Sequence, residues 1–362
     1  MNDPSATSPD AQESFFGLGP EQVLEAVEAA GLACKSICYP LNSFENRVYE
    51  VELADGHRVV VKFYRPGRWN ADQIREEHQL LDELAAEEIP VAAVRPVPDG
   101  ETLKRIGRIY YSVWDRRGGR APDELSPSWA ERLGMLIGRI HAVAAGGRFE
   151  HRPALSTERY VREPAAWLQR HRLLPRAYEK RYLDTAEAIA DIAEARMLGV
   201  ETQRIHADLH LGNVLFRDQE LRILDFDDSA IGPPVQDLWL ALPGRDDYAA
   251  GLREQLLRGY ERFRIFDRST LGLVEPLRGL RLVRYAGWLA RRWDDPAFKA
   301  GWPHFGTDEY WLLETEDLEK QLAVIRADSP SPSPISESLG TAALEPEQEL
   351  TNKDFFWDWE GD

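Results

Sequence analysis

Cysteine is nearly absent: the 362 residues contain two, Cys34 and Cys38. Two thiols cannot build a disulfide framework, and with no second pair nearby they do not form a zinc cluster, so both read as inert. There is no run of about eighteen or more apolar residues, which argues against a membrane span. The start, Asn2-Asp-Pro-Ser-Ala-Thr-Ser-Pro-Asp10, lacks the basic segment and apolar core of a secretory leader. A cytoplasmic chain is therefore expected. Basic residues are in deficit, 44 against 62 acidic ones, for a formal charge of −18. A chain so acidic is poorly suited to neutralising a phosphate backbone, so nucleic acid is not an expected partner.

The charge is uneven. Residues 328–362 hold nine acids and one lysine, a net −8, leaving about −10 for the rest. Ser329-Pro-Ser-Pro-Ser-Pro and the polar stretch to Glu349 have too little apolar content to bury a core. The segment ends Phe355-Phe-Trp357-Asp-Trp359-Glu360, aromatics among acids that read as a docking motif or a patch folding back on the chain. The remainder, with 43% apolar residues overall, suffices for two lobes with sizeable cores.

The stretch His206-Ala-Asp208-Leu-His-Leu-Gly-Asn213-Val-Leu-Phe216 and, nine residues on, Asp225-Phe-Asp227-Asp228 carry the chemistry. Asp208 and Asn213 form D-x-x-x-x-N, a turn that can aim one carboxylate at a substrate hydroxyl and one amide oxygen at a metal. Asp225 follows the apolar strand Leu221–Leu224, which can deliver a second oxygen to the same metal. Magnesium suits such a pair, since it takes few protein ligands and bridges substrate phosphates.

A phosphate-binding lysine is expected upstream. Residues 44–65 read strand, turn, strand, with Asp55-Gly56 as the hairpin signal and Val59-Val-Val-Lys62 matching the V-A-I-K pattern. A lysine in an apolar strand needs an anionic partner. The segment Ala71–Leu84 has apolar residues at helical spacing, and Glu77 shares the face of Leu80, Leu81 and Leu84, making it the chosen partner of Lys62, with Glu76 as the alternative. No G-x-G-x-x-G precedes the lysine. Its place holds Pro40-Leu-Asn42-Ser43-Phe44-Glu45-Asn46-Arg47, where Ser43 is the expected side-chain contact to phosphate.

These segments, together with Val60-Val-Lys-Phe-Tyr-Arg-Pro-Gly-Arg-Trp69, Gly232-Pro-Pro-Val-Gln-Asp237-Leu-Trp and Arg291-Arg-Trp-Asp-Asp-Pro-Ala-Phe298, resemble the bacterial stress response kinase A family. Those are Ser/Thr protein kinases with the aminoglycoside-phosphotransferase version of the kinase fold. The likeness runs from about residue 20 to about residue 325. It implies an α+β, two-lobed protein-kinase-like fold, with a small β-rich N-lobe and a larger, mostly helical C-lobe. It also implies ATP as co-substrate, Mg2+, autophosphorylation and a protective role in stress. The expected boundaries are a disordered 1–19, an N-lobe 20–115, a C-lobe 116–326 and an acidic disordered tail 327–362, in a monomer whose protein substrates are unknown. Carried over by position, Asp208 is the proton acceptor, Asn213 and Asp225 are the magnesium ligands, Asp225 is also essential to activity, and Ser43 belongs to the nucleotide loop. Two departures are Ala207, where the pattern usually has Gly, and Phe226 after the aspartate.

In this plan Ile109–Asp115 forms the hinge, with backbone groups at Val113 and Trp114 binding adenine. Helices are expected over 129–141, 182–196 and 276–293. His141 and Asp237 are expected to be structural, His206 to brace the catalytic loop near Asp225, Asp227 and Asp228 to stand behind the metal ligands, and His210 to face solvent. Two rival functions remain: a small-molecule phosphotransferase of the same fold, acting on an amino alcohol, sugar or aminoglycoside, and a non-catalytic binding protein.

Overall fold

The computed structural model describes residues 9–122 and 124–328. The acidic segment beyond, with its aromatic end and Ser329, Ser331 and Ser333, lies outside the described residues.

The chain begins with helices α1 (Pro9–Phe16) and α2 (Pro20–Ala29), then β1 (Cys34–Leu41), β2 (Arg47–Leu53), β3 (Arg58–Phe63), α3 (Ala71–Ala86), β4 (Lys104–Ile106) and β5 (Ile109–Asp115). The strands form one antiparallel sheet in the order β1-β2-β3-β5-β4. Asp55 and Gly56 turn β2 into β3, and Gly56 takes φ +88°, a conformation glycine adopts without strain. The period of two along β3 then divides its side chains. Val59, Val61 and Phe63 enter a core shared with Val23, Val27, Val51 and Tyr111. Lys62, between them in sequence, is directed to the opposite face and is also buried.

Helix α3 begins with a reciprocal cap between Asn70 and Gln73. Its buried side holds Ile74, Glu77, His78, Leu80, Leu81 and Leu84. Leu80, Leu81 and Leu84 join the large core of the second lobe, so the helix belongs to both lobes.

That second lobe contains α4 (Pro127–Ala144), α5 (Glu163–Arg170), α6 (Glu179–Met197), the short strands β6 (Gln203–Ile205), β7 (Val214–Arg217), β8 (Glu220–Ile223) and β9 (Ala230–Gly232), and α7 (Val235–Ala241), α8 (Asp247–Tyr260), α9 (Val274–Arg291), α10 (Pro296–Gly301) and α11 (Asp308–Ala327). β7 pairs with β8, and β6 with β9, both antiparallel. The α4 and α8 backbones touch at glycines: a Cβ on Gly134 would lie 1.8 Å from the Leu256 carbonyl oxygen, and one on Gly259 would lie 1.9 Å from that of Glu131. The result is an α+β, two-lobed kinase-like fold.

One boundary needs correction. Residues 9–19 are not a disordered lead-in: α1 places Phe15 fully buried in the first core, and the Arg47 and Arg65 guanidinium groups lie 4.9 and 5.0 Å from its ring centre. Of two adjacent phenylalanines in a polar stretch, Phe15 enters this core and Phe16 packs against it. At the other end α11 runs to Ala327, one residue past the expected boundary.

Candidate active site

Lys62 Nζ lies 3.0 Å from Asp225, 3.4 Å from Asp227 and 3.5 Å from Glu77. Burial alone would favour the neutral amine, but these carboxylates outweigh it and push the lysine pKa well above its ordinary value. The choice between neighbouring glutamates is settled by where each points. Glu77 is fully buried beside Lys62, whereas Glu76 accepts backbone N–H bonds from His151 at 3.0 Å and Arg152 at 2.7 Å.

Arg152, invisible to motif reading, joins α3 to the loop after Asp225. Its guanidinium donates to Glu77 at 3.1 Å, to the Gln73 carbonyl at 2.8 Å and to the Asp227 and Ser229 carbonyls at 2.8 and 3.0 Å.

The loop from β6 to β7 is fastened from behind. Both oxygens of buried Asp237 accept backbone N–H bonds, from His206 and from Ala207, each at 2.8 Å. His141 holds Asp237 at 2.9 Å and Tyr260 at 3.1 Å, tying that anchor to α4 and α8. His206 donates through Nε2 to the Leu224 carbonyl at 2.7 Å while its Nδ1 accepts the Asp208 N–H at 3.3 Å. Held on both sides, Ala207 takes φ +67°. This is where the related pattern usually has glycine, and the fold supports an alanine there in a left-handed conformation.

Asp208 Oδ1 lies 2.7 Å from Arg281 Nη1 of α9, and Oδ2 lies 3.6 Å from His210 Nε2. Burial opposes ionisation of Asp208, yet Arg281 and His210 overcome it and hold the carboxyl well below its ordinary range. His210 is fully buried, correcting the expectation of a solvent-facing residue. It packs against Asn213, whose Nδ2 is 3.3 Å from its ring and donates to the Asp208 carbonyl at 2.9 Å.

Those bonds turn the Asn213 amide nitrogen inward and leave Oδ1 to face the other way. A backbone bond of 2.9 Å from the Leu224 N–H to the Asn213 carbonyl sets the asparagine beside the residue preceding Asp225. Asp225 adopts φ 55°, ψ 67°, and its side chain remains 48% exposed, the most open carboxylate of this group. One amide oxygen and one accessible carboxylate fit a hard cation that takes its other ligands from phosphate and water. Among the described residues, no three His, Cys, Asp or Glu side chains are arranged to hold a metal by themselves.

Two expected nucleotide contacts stand differently. Ser43 is half-buried on the β1–β2 loop and its hydroxyl makes no hydrogen bond among the described residues. From that loop it is Asn46 that reaches the site, donating to Asp227 at 3.0 Å. Val113 and Trp114 lie inside the sheet rather than at a hinge edge. Val113 pairs with Val61 and its carbonyl accepts the Arg95 N–H at 2.8 Å, while Trp114 is bridged by Val60 on one side and Val94 on the other. An adenine contact at the Val113 carbonyl would share that oxygen with the Arg95 N–H.

The site thus combines a buried ammonium, an amide oxygen with an accessible carboxylate, and an ionised carboxylate beside them. Residues 38–274 match the phosphotransferase enzyme family (APH). The chain is 39% identical to stress response kinase A of Escherichia coli strain K12, over 86% of this chain and 95% of that protein. It is 37% identical to the serine/threonine protein kinase RdoA of Salmonella typhimurium, with the same coverage of each. Among solved structures, an amicoumacin kinase in complex with AMP-PNP, Ca2+ and Ami superposes with a TM-score of 0.66 at 20% identity, covering 86% of this chain and 94% of that one. A microcompartment-associated aminopropanol kinase gives 0.62 at 18% identity, covering 84% of this chain and 98% of that one. At such identities these two share the fold.

Proposed function

The chain belongs to the phosphotransferase enzyme family and is related throughout most of its length to stress response kinase A, and from that premise we propose that it is an ATP-dependent Ser/Thr protein kinase acting in the bacterial stress response. The observation that carries the reading is the convergence on Lys62, where Glu77 and Asp225 lie 3.5 and 3.0 Å away, with the Asp208 loop tied to the residue before Asp225 by the His206–Leu224 bond.

In this reading Lys62 neutralises phosphate charge, and Glu77, itself held by Arg152, fixes the lysine's position. Asn213 and Asp225 would hold Mg2+. Bound there with ATP, the ion would neutralise charge on the phosphates. Ser43 and Asn46 line the nucleotide loop. Asp208 accepts the hydrogen bond of a serine or threonine hydroxyl and orients it for in-line attack. With its pKa depressed by Arg281 it is a weak base, which suits a loose transition state that needs alignment more than early proton removal. The same residues serve phosphorylation of the enzyme's own hydroxyls.

The test is incubation with γ-labelled ATP and magnesium, comparing wild type with Asp208→Ala and Asp225→Ala. Phosphoserine or phosphothreonine should form with wild type only, each variant losing at least about a thousandfold in rate while its thermal melt stays cooperative. Transfer solely to small hydroxyl compounds would replace this reading with a small-molecule phosphotransferase.

A further inference from the structure

A wall of guanidinium groups stands beside Asp208 and Asp228, and phosphate chemistry at Lys62 does not use it. Arg281 pairs with Asp208 at 2.7 Å. Arg284 pairs with Asp228 at 2.6 Å and donates to the Tyr160 hydroxyl at 2.7 Å. Arg68 reaches Asp228 at 2.9 Å and Asp227 at 2.6 Å. These three are each fastened to a carboxylate.

Arg159 is different. It precedes Tyr160 on the π-turn Glu158–Arg162, a wider turn that is frequent at functional places in helices. Its guanidinium is half-buried over the Trp69 ring at 5.4 Å, and among the described residues no carboxylate pairs with it. Burial and then Arg284 lower its pKa, with Tyr160 and Asp228 offsetting this only in part, so its positive charge is incompletely compensated where it stands. A carboxylate arriving at this place would gain charge-assisted, two-point hydrogen bonds from the guanidinium. A cationic acceptor would meet like charge instead.

We propose that Arg159, set on the wall formed by Tyr160 and Arg284, binds an acceptor carboxylate next to the hydroxyl that receives phosphate, so that the substrates are acidic segments of proteins. This rests on the protein-kinase reading above and adds the acceptor class to it. The transfer is balanced in the usual way: the serine Oγ–P bond forms as the bond from the γ-phosphorus to the β,γ-bridging oxygen breaks, ADP departs, and the hydroxyl proton passes by Asp208 to solvent. The chain's own sequence contains such an acceptor, with Glu337 between Ser336 and Ser338, while Ser331 and Ser333 stand between prolines.

The experiment uses the full chain with ATP and magnesium on two synthetic peptides built on the sequence around Ser336, both with Ser338→Ala, one keeping Glu337 and one with Glu337→Lys. Wild type is expected to favour the glutamate peptide by roughly tenfold or more in kcat/KM. Arg159→Gln should abolish that preference and Arg159→Glu should invert it, with thermal melts confirming that each variant is folded. Equal kcat/KM for the two peptides, a preference that survives both substitutions, or a change confined to KM for ATP would overturn the assignment. Self-phosphorylation mapped only to proline-flanked serines would overturn it as well. Those outcomes leave the protein-kinase reading standing. Absence of phosphate on any peptide or protein, with transfer to small hydroxyl compounds, would remove both.

Discussion

At the scale of single residues, Asp208 is governed by its neighbours more than by its own chemistry. Its ionised form is the one that can accept a hydroxyl proton or hydrogen bond, and Arg281 keeps it ionised far into acid. The acid limb of kcat against pH should therefore show no inflection from Asp208 between about pH 5 and 8, taking the ordinary aspartate pKa near 4 as the upper bound. In Arg281→Ala burial is opposed by His210 alone, the carboxyl pKa rises, and activity is lost first at the acid end and partly regained as pH increases. A profile that only scales downward, with no shift of its acid limb, would assign Arg281 to packing. Arg281 could not be foreseen from motif spacing, because it lies 73 residues from its partner in a helix whose periodicity reports only burial. Asp208, Asn213, Asp225 and Lys62 could be proposed because each stands in a short, chemically unusual string. The burial of His210 is illegible for the complementary reason: histidine in a loop has no local signature of burial.

At the scale of elements, α4 and α8 transmit order to the catalytic loop. Their close approach positions His141 and Tyr260, which hold Asp237, which in turn holds the His206 and Ala207 backbone. Gly134→Ala puts a methyl carbon where backbone already lies, so the helices must separate. The expected cost is about 1–3 kcal/mol or more, read as a lowered melting temperature. Activity should fall further than stability predicts, as Asp237 loses its register. Unchanged melting and turnover would show that this contact does not position the loop. The expected helices over 129–141, 182–196 and 276–293 lie within or overlap α4, α6 and α9, since amphipathic period survives into the structure. The glycines of α4 were legible only as weak helix residues; that they meet a second backbone depends on a partner more than a hundred residues away.

At the scale of the whole molecule, the lobes are clasped by charge and aromatic packing that span most of the sequence. Asp295, its side chain fully buried, accepts from Arg47 at 2.9 Å and Arg65 at 2.8 Å. Glu45 accepts from Trp288 at 2.6 Å and pairs with Arg292 at 2.5 Å, while Phe44 packs edge-on against Phe298 and Trp302. Removing one side of such a buried pairing strands the other, so Asp295→Ala should destabilise the protein by about 3–5 kcal/mol in denaturant unfolding. Glu45 gives the clasp its pH dependence. Burial opposes its charge, but Arg292, Arg68 and Arg65 pull its pKa down. A depressed carboxylate contributes stability that is fully present above its unfolded pKa, about 4.3 for glutamate, and is lost as pH falls through the folded value. Melting temperature should thus decline below about pH 4, and Glu45→Gln should flatten that decline. A slope unaltered by the substitution would place acid sensitivity elsewhere. The no-span expectation also has a structural counterpart: among the described residues, no helix is long and apolar enough to cross a membrane.

What the sequence determined by itself is local: the β2–β3 hairpin with Lys62, the helix carrying Glu77, the Asp208–Asn213 turn and the strand leading to Asp225. Hydrophobic period, turn chemistry and short motifs act over a few residues, and they can be read without knowing what lies across the molecule. Tertiary structure alone decided which glutamate meets Lys62, that Val113 and Trp114 are laddered on both edges, that Phe15 fills a core, and that Arg152, Arg281 and Arg284 meet Glu77, Asp208 and Asp228. Charged side chains have no period of their own, and their partners are chosen by the packing of apolar surfaces. The electrostatics of the site therefore becomes definite only when the chain has folded.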